Sequence, residues 1–227
     1  MSERPGAGPA QPDVPSGGSA GAKLAALREQ AAGCHACPLY AHASQTVFGE
    51  GPPSASVVML GEQPGDMEDR QGHPFVGPAG RVLDRALEAA GIERDDVYVS
   101  NVVKHFKWER AGKVRLHKKP NAGEIRACRP WWEAELAVVR PRVVCCLGAT
   151  AAQAVFGPKF RVTRDRGVFF DLPGPDLFGS ARPPAGTEAI ATIHPSAVLR
   201  APSETRDEVF DGLVADLETV AERLRRG

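Results

Sequence analysis

Apolar positions fall along this chain in two rhythms. Short continuous runs, SVVML (56–60), DVYVSNVV (96–103), RVVCCLG (142–148) and EAIATI (188–193), predict four strands buried on both faces. Helical spacing separates them. AKLAALREQAAG (22–33) ends at Gly33, a usual helix stop, and GPAGRVLDRALEAAG (77–91) places Val82, Leu83, Ala86, Leu87 and Ala90 on one face. Asn121 caps a third helix over 122–139, with Glu124 at the capping-box position. A short helix over 149–157 and a final one over about 203–225 complete the set.

Strands alternating with helices predict an α/β fold. The expectation is three layers, α/β/α, around a central, mainly parallel four-stranded sheet. Open sheets of this kind bind ligands at the carboxyl ends of their strands. Four features fall there: GEQPG after 56–60, Asn101 within 96–103, the segment that follows it, and HPS (194–196) after the last strand.

Composition changes the picture only locally. Lys+Arg and Asp+Glu balance at 28 each, so overall charge carries no nucleic-acid signal. Between Lys104 and Lys119, however, seven Lys/Arg and two His face a single acid, Glu109. A solvated loop is the plain reading; a polyanion partner is the sharper one. Residues 1–22 are rich in Pro, Gly and Ser and are expected to be a disordered tail, with residues 23–227 forming one domain. No run is long enough for a transmembrane helix and no signal-peptide core is present, so a cytoplasmic monomer without membrane attachment is expected.

In that reducing setting, five cysteines read as metal ligands or packed thiols. Cys34 and Cys37 form a C-x-x-C, and Cys128 lies far along the chain in a helix. Cys145 and Cys146 are neighbours on a strand, so they point to opposite faces and read as packed thiols. Three ligands need a fourth, and His105 is the candidate. Iron–sulfur and a zinc site of three Cys and one His both fit that composition. GEQPG lacks the dinucleotide-binding spacing, and no phosphate-binding P-loop is present.

With these residues in view, the chain resembles the uracil-DNA glycosylases that carry an iron–sulfur cluster (family 4), and more closely their UdgX-type branch. CHACPL, GEQPGDMEDRQGHPFVGPAGRVLD, VYVSNVVKHF, KVRLHKKP, ACRPW and IHPSAVLR carry the resemblance, which runs from about residue 30 to 220. GEQPG in place of GEGPG, His105 in place of a cysteine after NVVK, and the extended loop ending in His117 match that branch. The resemblance implies a [4Fe–4S] cluster held by Cys34, Cys37, His105 and Cys128, with Cys145 or Cys146 as fallback for the fourth ligand.

It also implies excision of uracil from DNA, with single-stranded DNA the expected substrate and duplex DNA possible. Phe75 would stack on the flipped base, Asn101 would read its edge, and backbone N–H groups from Gln63 to Gly65 would hold the base or a phosphate. Glu62 would stabilise the sugar cation or orient a nucleophile, and His194 would hydrogen-bond the departing uracil. His117 would attack C1′ and stay attached. Arg115, Lys113, Lys118, Ser196 and Arg200 would contact the DNA backbone, with Arg115 also bracing the loop through Gln63. Taken without the resemblance, Phe75 reads as core, Asn101 as a turn residue and His117 as one more phosphate contact. The rival functions are an ordinary turnover glycosylase and a metal-stabilised nucleic-acid-binding protein without catalysis.

Overall fold

A computed structural model describes residues 10–172 and 186–226. In chain order the elements are α1 (Ala20–Ala32), β1 (Val57–Gly61), α2 (Asp66–Gln71), α3 (Pro78–Ala89), β2 (Val97–Asn101), β3 (Trp108–Ala111) and β4 (Val114–His117). There follow α4 (Ala122–Val139), β5 (Val143–Leu147), α5 (Ala149–Phe156), α6 (Val162–Asp165), β6 (Phe169–Asp171), β7 (Glu188–Thr192), α7 (Ser196–Arg200) and α8 (Arg206–Arg225).

The four expected strands form one parallel array in the order β2-β1-β5-β7, and β6 adds a short antiparallel edge. Among the described residues the sheet thus has five strands where the sequence pattern predicts four. Three residues, Phe169–Asp171, make too short a run to show a strand period.

Because strand side chains alternate, each apolar run feeds two cores. Val58, Leu60, Val144, Cys146 and Ala191 pack with Leu27 of α1 and Trp132 and Leu136 of α4. Val57, Met59, Val99, Val143 and Cys145 pack with Leu83 and Leu87 of α3 and Leu213 and Leu217 of α8. Helices on both faces of the sheet give the expected three layers. Burying one such Leu is worth about 1.5–3 kcal/mol, so the two cores hold the strand ends in fixed relation.

Of the tail expected over 1–22, residues 1–9 lie outside the described residues. From Ala10 the chain lies on the domain: Ala10 is buried and its N–H donates to the Ala127 carbonyl at 3.0 Å. Asp13 and Gln30 exchange two hydrogen bonds of 2.8 Å, and Ser19 caps α1, which begins at Ala20. Among the described residues no helix is long and apolar enough to cross a membrane.

Three segments that follow strands hold structure that the apolar pattern does not announce. GDMEDRQ contains α2, HPSAVLR contains α7, and the basic segment is a β-hairpin of β3 and β4 lying outside the main sheet. Gly112, at φ +62°, opens its two-residue turn, a conformation that suits glycine.

Candidate active site

The chain leaves β1 to one side, toward β2, and returns to add β5 on the other. That reversal opens a crevice at the carboxyl ends of β1 and β5. A cavity of about 790 Å³ lies there, lined among others by Glu62, Phe75, Asn101, His117, Thr150 and His194. Five of these six were expected from the sequence; Thr150 was not.

Glu62 directly follows β1. Its Oε2 accepts a short hydrogen bond from the Thr150 hydroxyl at the start of α5. Its Oε1 lies 3.5 Å from His117 Nε2. The carboxylate is thereby held from one side and turned toward the imidazole on the other. Burial is the main cause that keeps the His117 pKa below the ordinary imidazole value; Arg200 acts in the same direction and Glu62 opposes. His117 is therefore neutral at neutral pH and keeps a lone pair. Its ring lies 6.0 Å from Phe106, centroid to centroid, and its side chain is 49% exposed.

His194 follows β7. The Ser196 N–H donates to its Nδ1 at 3.1 Å, and the Ser196 hydroxyl is 2.7 Å from the same atom. A nitrogen that accepts from a backbone N–H carries no proton, so the neutral ring has its hydrogen on Nε2. Burial, followed by the charge of Arg200, lowers the His194 pKa to about 4. Arg200 completes the relay by donating to Ser196 Oγ at 2.7 Å. Ser196 and Arg200, expected on phosphates, thus also fix the tautomer of His194.

Phe75 stacks toward His194 with ring centroids 6.4 Å apart and an interplanar angle of 29°. Its backbone φ is +57°, a rare choice for a bulky residue and one that strained functional loops show. Asn101, buried at the end of β2, sits against Gly61: a Cβ there would run into Asn101 Oδ1 and come 2.8 Å from Phe75 Cζ. Gly148, at φ +90°, does the same for His194, whose Cβ would lie 2.9 Å from an added methyl. These two glycines let three candidate side chains, Asn101, Phe75 and His194, share one pocket.

The loop contacts differ from expectation in three ways. Gln63 and Gly65 line the cavity, but the Gly65 N–H donates to Glu68 Oε2 at 3.1 Å, which leaves it unavailable to a base. Glu68 also takes the Gly77 N–H at 2.8 Å, so one carboxylate ties both loops of the pocket. The Gln63 side chain donates to the carbonyls of Lys107 and Lys118 at 3.2 and 3.1 Å and accepts from the Lys107 N–H at 3.1 Å. It holds both ends of the hairpin without Arg115. Arg115 instead pairs with Asp66 and Asp69 of α2 and lies over Phe106 and Trp108. Its charge is already matched by two carboxylates, so it serves as a latch on the hairpin. Lys118 pairs with Glu109 across the hairpin at 2.8 Å, while Lys113 occupies the turn beyond Gly112. Lys119, absent from the expected set, lines the cavity.

The cysteines divide as their positions imply. Cys145 and Cys146 are buried on opposite faces of β5, in different cores. Burial raises the pKa of the Cys37 and Cys128 thiols, and nearby Cys34 adds to both. Two of these sulfurs accept N–H groups, Cys34 from Trp131 Nε1 at 3.2 Å and Cys128 from Lys104 N at 3.1 Å. Hydrogen bonds of this kind are what cluster sulfurs take. Buried His105 has its Nε2 3.0 Å from Thr46 Oγ1, whose own hydrogen goes to the Ala31 carbonyl. Nε2 must therefore be the donor, leaving the lone pair on Nδ1, and burial lowers the pKa to about 4. Among the described residues no three or more such side chains converge as on a single ion. Three thiols and one imidazole are a donor set that either an iron–sulfur cluster or a zinc ion takes.

Residues 48–218 match the sequence profile of the uracil DNA glycosylase superfamily. A type-4 uracil-DNA glycosylase of Thermotoga maritima is 37% identical over 175 residues, covering 77% of this chain and 82% of that protein. Namesakes from Pyrobaculum aerophilum and Archaeoglobus fulgidus are 35% and 32% identical, over 79% and 77% of this chain and 86% and 82% of theirs.

Proposed function

Because the chain belongs to the uracil-DNA glycosylase superfamily, we propose that it removes uracil from DNA and then bonds itself to the abasic sugar through His117, as in the UdgX-type branch. The observation that carries the second half is the pairing of neutral His117 with Glu62, 3.5 Å apart at the wall of the pocket.

A base cannot be reached inside the stack, so uracil must be flipped out or presented on a single strand. Single strands lack the pairing cost, which favours them as substrate. Phe75 takes the face of the base, a contact worth roughly 1–3 kcal/mol. Asn101 offers a donor and an acceptor to its edge.

The N1–C1′ bond breaks with its electron pair leaving on uracil. Negative charge on the uracil oxygen is met by the Nε2–H of His194, and positive character at C1′ by the carboxylate of Glu62, which Thr150 holds. The unprotonated nitrogen of His117 then attacks C1′. The new C–N bond makes the imidazole cationic, and loss of its N–H proton to Glu62 neutralises it. Imidazole is a poor leaving group, so the adduct persists and each molecule acts once. Water attacking in place of His117 would give an ordinary turnover enzyme.

An iron–sulfur cluster, if bound by Cys34, Cys37, Cys128 and His105, would supply a structural tie between the end of α1 and α4. No step above draws on it.

A denaturing gel of the protein with a uracil-containing single-stranded oligonucleotide tests this reading. A shifted band that survives SDS and heat, needs uracil, and disappears in His117→Ala is the expected result. Abasic oligonucleotide without a shifted band would leave excision standing and remove the covalent step.

A further inference from the structure

Beneath Asn101 lies a buried ion pair that the excision chemistry does not use. Lys104, three residues past β2, and Glu135, on α4, have side chains each only 1% exposed. The Lys104 ammonium donates to Glu135 Oε2 at 2.5 Å, to Ser100 Oγ at 2.6 Å and to the main-chain carbonyl of Asn101 at 3.0 Å. Its three hydrogens are all placed. Glu135 is matched in turn: Oε1 accepts from Gly49 N–H at 2.8 Å and Tyr98 OH at 3.2 Å, and Oε2 also accepts from the Ser100 hydroxyl at 2.7 Å.

Stability alone does not call for this arrangement. Desolvating two charges costs as much as their attraction returns, and apolar residues of similar volume usually do as well. What the pair does provide is a fixed point under one peptide. On the far side of that peptide, the N–H groups of Val102 and Val103 donate to the carbonyls of Gly61 and Glu62 at 2.9 and 3.0 Å. The Asn101 main chain is thus held by Lys104 from below and by the end of β1 from the side. A turn of this peptide would swing the Asn101 amide away from its seat on Gly61 and beside Phe75.

We propose that Lys104, locked by Glu135 and Ser100, is a positioning residue for base recognition: it presents the Asn101 amide to the edge of the base. The proposal rests on the reading of Asn101 as a uracil contact. Lys104 itself touches no substrate, so its whole effect must pass through Asn101. Its removal then weakens binding of the base more than it slows the chemical step.

The test is a double-mutant cycle of Lys104→Met and Asn101→Ala, read as kcat/KM from single-turnover excision and as the inhibition constant of free uracil. A lost charged hydrogen bond corresponds to a roughly 10- to 100-fold effect. Lys104→Met is expected to lower kcat/KM by about tenfold or more, mainly through KM, and to weaken uracil inhibition in parallel. In the Asn101→Ala background the same change should cost less than about twofold, because coupled sites are not additive. Should Lys104→Met fail to fold by circular dichroism, Lys104→Met/Glu135→Gln, which removes both charges, enters the same cycle.

Equal losses in both backgrounds, no loss at all, or unfolding of both variants would make the pair structural and overturn the inference. A wild-type protein that neither excises uracil nor is inhibited by it would instead remove the parent reading.

Discussion

His194 carries its proton on Nε2 because the Ser196 N–H occupies Nδ1, and its surroundings hold it neutral, with a pKa of about 4 against an ordinary 6.5. Between those values the unfolded chain binds a proton that the folded chain refuses. Stability is therefore unaffected above about pH 6.5 and declines as pH falls toward 4. The share of His194 at pH 5 is of order 1–2 kcal/mol, once screening by cavity water is allowed for. Urea midpoints at pH 7.5 and pH 5 should drop less between the two in His194→Asn than in wild type; an equal drop would place the acid sensitivity elsewhere. His194 was legible as a candidate because it closes an apolar run at a strand end, as were Glu62 and Asn101. Thr150 and Glu68 were not, since a threonine at the start of one helix and an acid in another are commonplace and only their partners give them meaning. The pairing of Arg115 was hidden for the complementary reason: in a basic segment every cation looks free, and its two carboxylates, Asp66 and Asp69, lie 49 and 46 residues away.

The hairpin of β3 and β4 is the element on which the proposed covalent capture depends. Its strands are four residues each and carry mostly charged or exposed side chains, so no apolar alternation announces them. The signal available was the Gly112–Lys113 turn, whose glycine at the first position suits a two-residue hairpin. Gln63 holds both ends of the hairpin through three hydrogen bonds to main chain. Gln63→Ala should release it and move His117 away from Glu62, while Phe75, Asn101 and His194 stay in place on the sheet side. The expected outcome is excision within a few-fold of wild type, adduct formation about tenfold slower, and the appearance of turnover. Time courses of free uracil and of covalent product on the same samples would measure this. Parallel losses of both would mean that Gln63 supports the pocket as a whole.

At the scale of the molecule, the parallel direction of the four main strands was readable from their apolar runs and the helical stretches between them. The reversal between β1 and β5 was not, because strand order depends on which crossover packs on which face. That reversal gathers side chains from residue 62 to residue 194 into one pocket. Charge follows the same division. The chain is neutral overall, so DNA binding must rest on the local cations around the crevice, and affinity should fall steeply with salt. On a thymine oligonucleotide, where no chemistry intervenes, Lys113→Ala should reduce the slope of log affinity against log salt by roughly 0.7. An unchanged slope would put Lys113 outside the DNA path. The most direct measurement of the central claim is intact and peptide mass spectrometry of the protein after reaction with a uracil-containing oligonucleotide. Covalent capture predicts a species weighing protein plus oligonucleotide less uracil, with the abasic sugar on the peptide that contains His117. Unmodified protein beside free uracil and abasic oligonucleotide would contradict it.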